Sequence, residues 1–194
     1  MAEAMHYGMG TEITHKVYGC HAKEALQSVK NETHRLERML SRFVPESDIG
    51  RLNNSAGIQC ERISSETFSL LEQAVQFSKL SDRFFDCTVG PLADLWDYKH
   101  ASEPPADGEI RQVISLVNFK DLDLDEGKKT AVLKRSGQSV DLGGIGKGFA
   151  SDRFMELFQH YGVTSAFSNI GGNVSTLGYK PDGSPWRVGI RHPR

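Results

Sequence analysis

The chain has 194 residues, a net charge of −2, 38% hydrophobic and 25% charged residues. That is the make-up of one substantial folded domain or a large part of one; it excludes a disordered or fibrous chain and gives no broad electrostatic reason to bind nucleic acid or an anionic membrane. No apolar run is long enough to span a bilayer, and MAEAMHYGMG has no signal-peptide core, so the chain is expected to be soluble. Cys20, Cys60 and Cys87 are odd in number and widely spaced, which argues against a disulfide framework or a zinc site. Cys20 is read as a buried or partly buried thiol.

In chain order, Thr11 to Tyr18 alternates as a strand does. Ala22 to Phe43 is the clearest helix, with Ala25, Leu26, Val29, Leu36 and Leu40 at helical spacing. Pro45 to Asp48 stops it, and Ile49 to Asn54 leads through Gly57 to a short strand near Cys60 to Ile63. A second helix starts at about Ser65, capped by Ser64 or Ser65.

Residues 82 to 98, DRFFDCTVGPLADLWDY, are non-periodic and fit neither a plain helix nor a plain strand. One reading makes them a buried connection with Phe84, Phe85 and Trp96 as core and Asp86 as a cap; the other has Asp86 facing a ligand between aromatic walls. Past Pro104 and Pro105, Asp107 can cap a third helix carrying Ile110, Val113, Ile114 and Val117 on one face. Phe119 to Leu124 and Thr130 to Lys134 read as a hairpin around Glu126-Gly127.

Ser139 to Asp152, SVDLGGIGKGFASD, runs from β-leaning residues around Asp141 through Gly143, Gly144, Gly146 and Gly148 into a helix opening near Ala150, with Phe154, Leu157, Phe158 and Tyr161 on one face. A glycine-rich turn feeding a helix N-terminus suits phosphate, because glycine permits close approach and positive φ, free N–H groups favour an anion, and Lys147 adds charge. It is no P-loop, since Asp141 stands where the first glycine belongs and Gly148 where Ser or Thr would hold magnesium. GxGxxG fails too, with Phe149 at its last position. A tight strand-to-helix turn without a ligand accounts for the glycines equally well. Ser165 to Asn169 is then a strand running into Gly171-Gly172, another close backbone approach, and Trp186, Val188 and Ile190 alternate as a last strand. There is no internal repeat and no linker, and hairpins rather than regular crossovers favour an α+β fold over a doubly wound sheet.

Six blocks, YGMGT, LSRFVPESDIGRLN, FFDCTVGPLADLW, VDLGGIGKGFASD, SNIGGNV and PWRVGIRHP, stand in the order and spacing of the ApbE family, a resemblance that covers almost all of the chain and makes 1–194 one ApbE-like domain. The resemblance implies a largely antiparallel sheet packed with helices. It implies FAD as substrate and Mg²⁺ as cofactor, with transfer of FMN onto a Thr or Ser hydroxyl of a target flavoprotein and release of AMP. Hydrolysis of FAD to FMN and AMP is the variant, and a flavin-binding module without chemistry the alternative of another class.

Carried over position by position, the resemblance makes Lys147 a cofactor neighbour in the glycine loop and gives Mg²⁺ the backbone carbonyl of Ala150 as a ligand. Arg153 falls beside the same flavin site, Phe84, Phe85 and Asp86 line the FAD pocket, and Met9 is the methionine of the N-terminal strand motif. Phe43 stands where relatives often carry Tyr, so a ring can stack there without a hydroxyl. No catalytic side chain is assigned. The family continues past PWRVGIRHPR with an Asp and a Thr or Ser that complete the metal site, so the chain is expected to be a truncated portion that binds flavin weakly and catalyses poorly. The family is typically found at the cell envelope; without a leader or lipidation site, this chain is expected to be a soluble or cytoplasmic member.

Overall fold

A computed structural model describes residues 1–97, 99–190 and 192. The chain divides into two compact units, Met1–Glu37 with Gly146–Arg194, and Arg38–Ile145.

The first unit is built on a sheet of β1 (Ala2–Gly8), β2 (Thr11–Tyr18), β6 (Ser165–Ile170) and β7 (Asn173–Leu177), side by side in the order β1-β2-β6-β7 and antiparallel throughout. On the face that pairs Ile13, His15 and Val17 with Ile170, Ser168 and Ala166, all six side chains are buried. The stripe of α1 (Ala22–Leu40) that is fully buried in this unit, Ala25, Val29 and Leu36, and Phe154 and Phe158 of α6 (Gly146–His160) supply the rest of its core. Val29, Leu36, Phe154 and Phe158 each contribute about 1.5–3 kcal/mol by leaving water. The β1–β2 turn has just two residues, Met9 and Gly10, both at positive φ (52° and 71°), the mirror-image turn whose twist matches that of paired strands. Gly171 and Gly172, at φ 54° and 93°, join β6 to β7 in the same way.

The second unit holds the three-stranded antiparallel sheet β3-β5-β4, from β3 (Glu61–Arg62), β4 (Leu122–Asp125) and β5 (Thr130–Leu133). Its helices are α2 (Asp48–Asn54), α3 (Ser65–Leu80), α4 (Gly90–Trp96) and α5 (Asp107–Val113). Ser64 caps α3 by accepting from Thr67 N at 3.1 Å, as its position before the apolar run predicts. Buried Asp48 fastens the same corner, accepting from Ser64 N at 2.9 Å and from Thr67 Oγ1 at 2.7 Å.

The α+β class holds, with two antiparallel sheets. Several local expectations do not. A strand, β1, forms at 2–8, where its alternation of alanine with exposed Met5 and Tyr7 gives a weak signal and pairing with β2 supplies the order. Helix α1 ends at Leu40, short of Phe43, and Ile49 to Asn54 is helical because Ser47 caps it. Part of 82–98 is α4, started by Pro91 in its first turn. Asp107 is the first residue of α5 rather than its cap; Glu109 instead accepts from Ala106 N at 2.9 Å. Phe119 to Asp121 is a 3₁₀ turn, so the hairpin starts at Leu122. Trp186 to Ile190 form no strand, and Trp186 instead packs its ring 5.8 Å from Phe167 and 6.3 Å from Tyr18. Cys20 is exposed, as is Cys60, and only Cys87 of the three is buried.

Candidate functional site

The glycine loop enters from the second unit. Val89 and Ser139 make one isolated parallel bridge, and Asp141 then turns the chain by accepting from Gly143 N at 2.7 Å. Arg42, its side chain only 10% exposed, holds this corner from outside. Its guanidinium donates to Asp141 Oδ2 at 3.0 Å, Asp94 Oδ2 at 2.5 Å and the Gly90 carbonyl at 3.4 Å. Asn53 brackets Val140, donating to its carbonyl at 3.0 Å and accepting from its N–H at 2.7 Å. None of the four loop glycines has a positive φ, contrary to expectation. Space explains two of them: a Cβ on Gly144 would lie 2.9 Å from the Phe85 ring, and one on Gly143 2.9 Å from Asp141 Oδ1.

Asp86 is 9% exposed and its carboxylate is engaged within its own unit. Oδ1 accepts from Thr88 N at 2.9 Å and Thr88 Oγ1 at 2.6 Å, and Oδ2 from Phe119 N at 3.0 Å, so the acid ties the 82–98 segment to the start of the hairpin. The neighbouring Cys87 thiol is pushed up to about 11, first by burial and then by the Asp86 charge. Phe84 is 98% exposed and Trp96 43% exposed, so neither is core. Phe43 is likewise 80% exposed, its ring covered on one side by the Arg42 guanidinium at 5.2 Å.

In the first unit, α6 opens at Gly146, four residues before the expected Ala150, because glycine here keeps ordinary helical φ. Its first turn, Gly146-Lys147-Gly148, has no acid to neutralise the N–H groups. A Cβ on Gly148 would meet nothing within 4 Å, and one on Gly146 only Met9 Cε, at 3.9 Å. That is an open, acid-free helix N-terminus beside a lysine, the arrangement that favours an anion. Asn173, at the start of β7, braces it by donating to Ser151 Oγ at 2.7 Å, with the Lys147 carbonyl at 3.5 Å. Ala150 is fully buried. Arg153 reaches back to Glu32 of α1 at 3.5 Å and pairs with Glu156. Hydrogen bonding from Arg35, and after it from Arg153, holds the Glu32 carboxyl below its usual range despite its partial burial.

Of the sequence candidates, the structure thus gathers Met9, Lys147, Ala150 and Arg153 in one unit and Phe43, Phe84, Phe85 and Asp86 in the other. Sequence reasoning missed Arg42, Asn53 and Asn173. Arg42 and Asp141 are 99 residues apart, so no local pattern announces the pair. Among the described residues no group of three or more His, Cys, Asp or Glu is placed to hold a metal, and no helix is long and apolar enough to cross a membrane.

This antiparallel α+β fold is shared with solved ApbE structures. An ApbE protein from Thermotoga maritima superposes with a TM-score of 0.89 at 26% identity, over 100% of this chain and 64% of its own. The flavinyl transferase ApbE of Pseudomonas stutzeri, in its apo form, gives 0.86 at 28%, over 97% and 64%. The ApbE family profile matches residues 9–194, and the chain belongs to that family. Among curated relatives it is 31% identical to an FAD:protein FMN transferase of Klebsiella pneumoniae, covering 95% of this chain and 57% of that protein. A protein of the same name from Treponema pallidum is 29% identical, over 87% and 51%. The chain spans little more than half the length of these relatives.

Proposed function

We propose that this chain is the FAD-binding portion of an FAD:protein FMN transferase, which moves FMN from FAD onto a Thr or Ser hydroxyl of a target flavoprotein. The observation that carries the reading is the acid-free first turn of α6 with Lys147, found in a chain whose relatives bear that name.

In the proposed reaction the hydroxyl oxygen attacks the phosphorus on the FMN side of the pyrophosphate. The bond from that phosphorus to the bridging oxygen breaks, AMP leaves with the oxygen, and the hydroxyl proton passes to AMP or to water. Such a transfer asks for positioning and charge stabilisation rather than covalent chemistry from the enzyme. The α6 N–H groups and Lys147 Nζ serve those needs. Arg153, already tied to Glu32 and Glu156, steadies the helix that presents them. Met9 is the apolar contact beside Gly146. Phe43 and Phe84 offer exposed rings against which a flat heterocycle can stack, and Asp86 fastens the segment that carries Phe84 and Phe85.

Mg²⁺ enters only through the family resemblance. When bound, it would neutralise pyrophosphate charge. The donors present do not fit it by themselves: it wants six oxygens, and here Ala150 offers a carbonyl inside a buried helical turn with no carboxylate cluster among the described residues. No step is therefore assigned to it. The same shortfall favours a second reading, in which this chain binds flavin without transferring it.

The test is titration of FAD, followed by flavin fluorescence, with and without Mg²⁺. Incubation with a Thr-containing peptide follows, reading AMP and peptide mass. Lys147→Ala should weaken FAD binding by about tenfold or more, the worth of a hydrogen bond to a charged group. AMP with an FMN-sized mass gain marks transfer, and AMP with free FMN marks hydrolysis. FAD binding without AMP leaves the binding module. Equal titration of wild type and Lys147→Ala overturns the site.

A further inference from the structure

The segment Ser168 to Val174, SNIGGNV, has no part in the proposed chemistry, yet one of its asparagines ends on α6. The turn that carries it is fixed from three sides. Asn169 Oδ1 accepts from Gly172 N at 2.8 Å, the Glu12 carbonyl accepts from Gly171 N at 3.1 Å, and a Cβ on Gly171 would collide with the Thr11 side chain. The pairing of Ile170 with Asn173 then sets Asn173 at the start of β7 in a fixed register.

The helix on the other side of the contact needs holding. The first turn of α6 is Gly146-Lys147-Gly148, two residues of three without a side chain, and glycine gives up more backbone freedom in a helix than any other residue. Helix ends of this kind fray unless something outside the helix binds them. Asn173 Nδ2 donates to Ser151 Oγ at 2.7 Å and lies 3.5 Å from the Lys147 carbonyl, so it bridges two helical positions four residues apart. A carbonyl can only accept, which fixes the end of the amide that faces α6 as the NH₂. Ser151 is 3% exposed and anchors the link in the core, while Asn173 itself is exposed. The link is also uncharged. Aspartate could accept from the same hydroxyl, but it would bring a negative charge to a first turn that has no acid.

We propose that Asn173 is a positioning residue for the first turn of α6, an inference that rests on the reading of that turn as the seat of the FAD pyrophosphate. By holding the Gly-Lys-Gly turn helical, it keeps the free N–H groups aligned before the anion arrives. Such pre-alignment raises affinity by removing ordering that binding would otherwise have to impose. Asn173 acts through Ser151 and the Lys147 backbone, not by touching the ligand.

The test compares the full chain with N173A, N173D, K147A and the K147A/N173A double variant. Without ligand, amide hydrogen exchange in N173A should quicken at Ala150 and Ser151, whose N–H groups donate to the Gly146 and Lys147 carbonyls in helical geometry, and should stay unchanged in β1 and β2. FAD affinity should fall about three- to tenfold in N173A, the worth of one neutral hydrogen bond. N173D should bind FAD more weakly still, because its charge opposes the anion. In the K147A background the loss from N173A should shrink, since the two residues serve one turn, whereas a general loss of stability would carry over in full. Unchanged exchange at Ala150 and Ser151 overturns the brace. Quickened exchange with FAD affinity equal to wild type, where K147A binds more weakly, overturns the positioning role, as does an N173A loss that is the same in both backgrounds or an N173D that binds as well as wild type. Equal FAD binding by wild type and K147A overturns the pyrophosphate reading and the positioning role with it, while the exchange rates still decide the brace.

Discussion

Replacing Asp86 by alanine separates a fold-holding acid from a ligand-holding one. The carboxylate accepts three hydrogen bonds, at 2.9 and 2.6 Å from Thr88 and 3.0 Å from Phe119 N, and is 9% exposed. Alanine leaves two buried backbone N–H groups without acceptors, whereas the Thr88 hydroxyl can rotate. At about 1–3 kcal/mol for each unsatisfied donor, the loss is about 2–6 kcal/mol. That is a large fraction of the ~5–15 kcal/mol by which domains are stable. In a chain of this size each kcal/mol lowers Tm by about 2–4 °C, so Asp86→Ala should melt at least about 4 °C below wild type, and in most outcomes near 10 °C. Urea unfolding followed by circular dichroism measures the same loss independently. Asp86→Asn keeps one acceptor and turns a donor toward either Thr88 or Phe119, so it should fall between the two. A change of less than about 0.5 kcal/mol in Asp86→Ala would refute the reasoning, and selective loss of FAD affinity at unchanged stability would give the acid to the ligand instead.

The glycine loop yields a paired test: Gly144→Ala drives a Cβ to 2.9 Å from the Phe85 ring and should cost about 1–3 kcal/mol in urea unfolding. Gly148→Ala, in open space at ordinary φ, should leave stability unchanged or raised by up to about 1 kcal/mol, while lowering FAD affinity if the anion sits over that turn. Arg42→Ala removes the cation between Asp141 and Asp94 and should cost about 1–3 kcal/mol, with Arg42→Lys recovering only part because an ammonium cannot span both acids; equal stability of all three proteins would remove the clamp. His15 is buried between Phe154 and Phe158, its Nε2 without a hydrogen-bond partner among the described residues and its pKa lowered to about 4 by burial and then by His6. A depressed folded pKa means the unfolded chain binds the proton more tightly. Stability is therefore full above pH ~6.5 and falls by about 3 kcal/mol as pH drops toward 4. His15→Gln should flatten that part of the stability–pH curve, and an unchanged slope would show that other groups carry it.

Some of this protein was written in local sequence. The apolar stripe of α1 and the Ser64 cap of α3 were readable because a helix is set by neighbours three and four residues apart. The β4–β5 hairpin was readable too, since its pairing partners lie close in the chain. The six ordered blocks were enough to give the family, and with it the expectation of a flavin. What the sequence left undetermined depends on distant contacts. β1 exists because seven residue pairs with β2 order it, although its own alternation is faint. The loop glycines are explained by the Phe85 ring and the Asp141 carboxylate rather than by positive φ. Asp86 and Arg42 acquire their partners across separations of 33 and 99 residues. A buried charge must find its counter-group wherever the fold brings one, so these roles belong to tertiary structure alone.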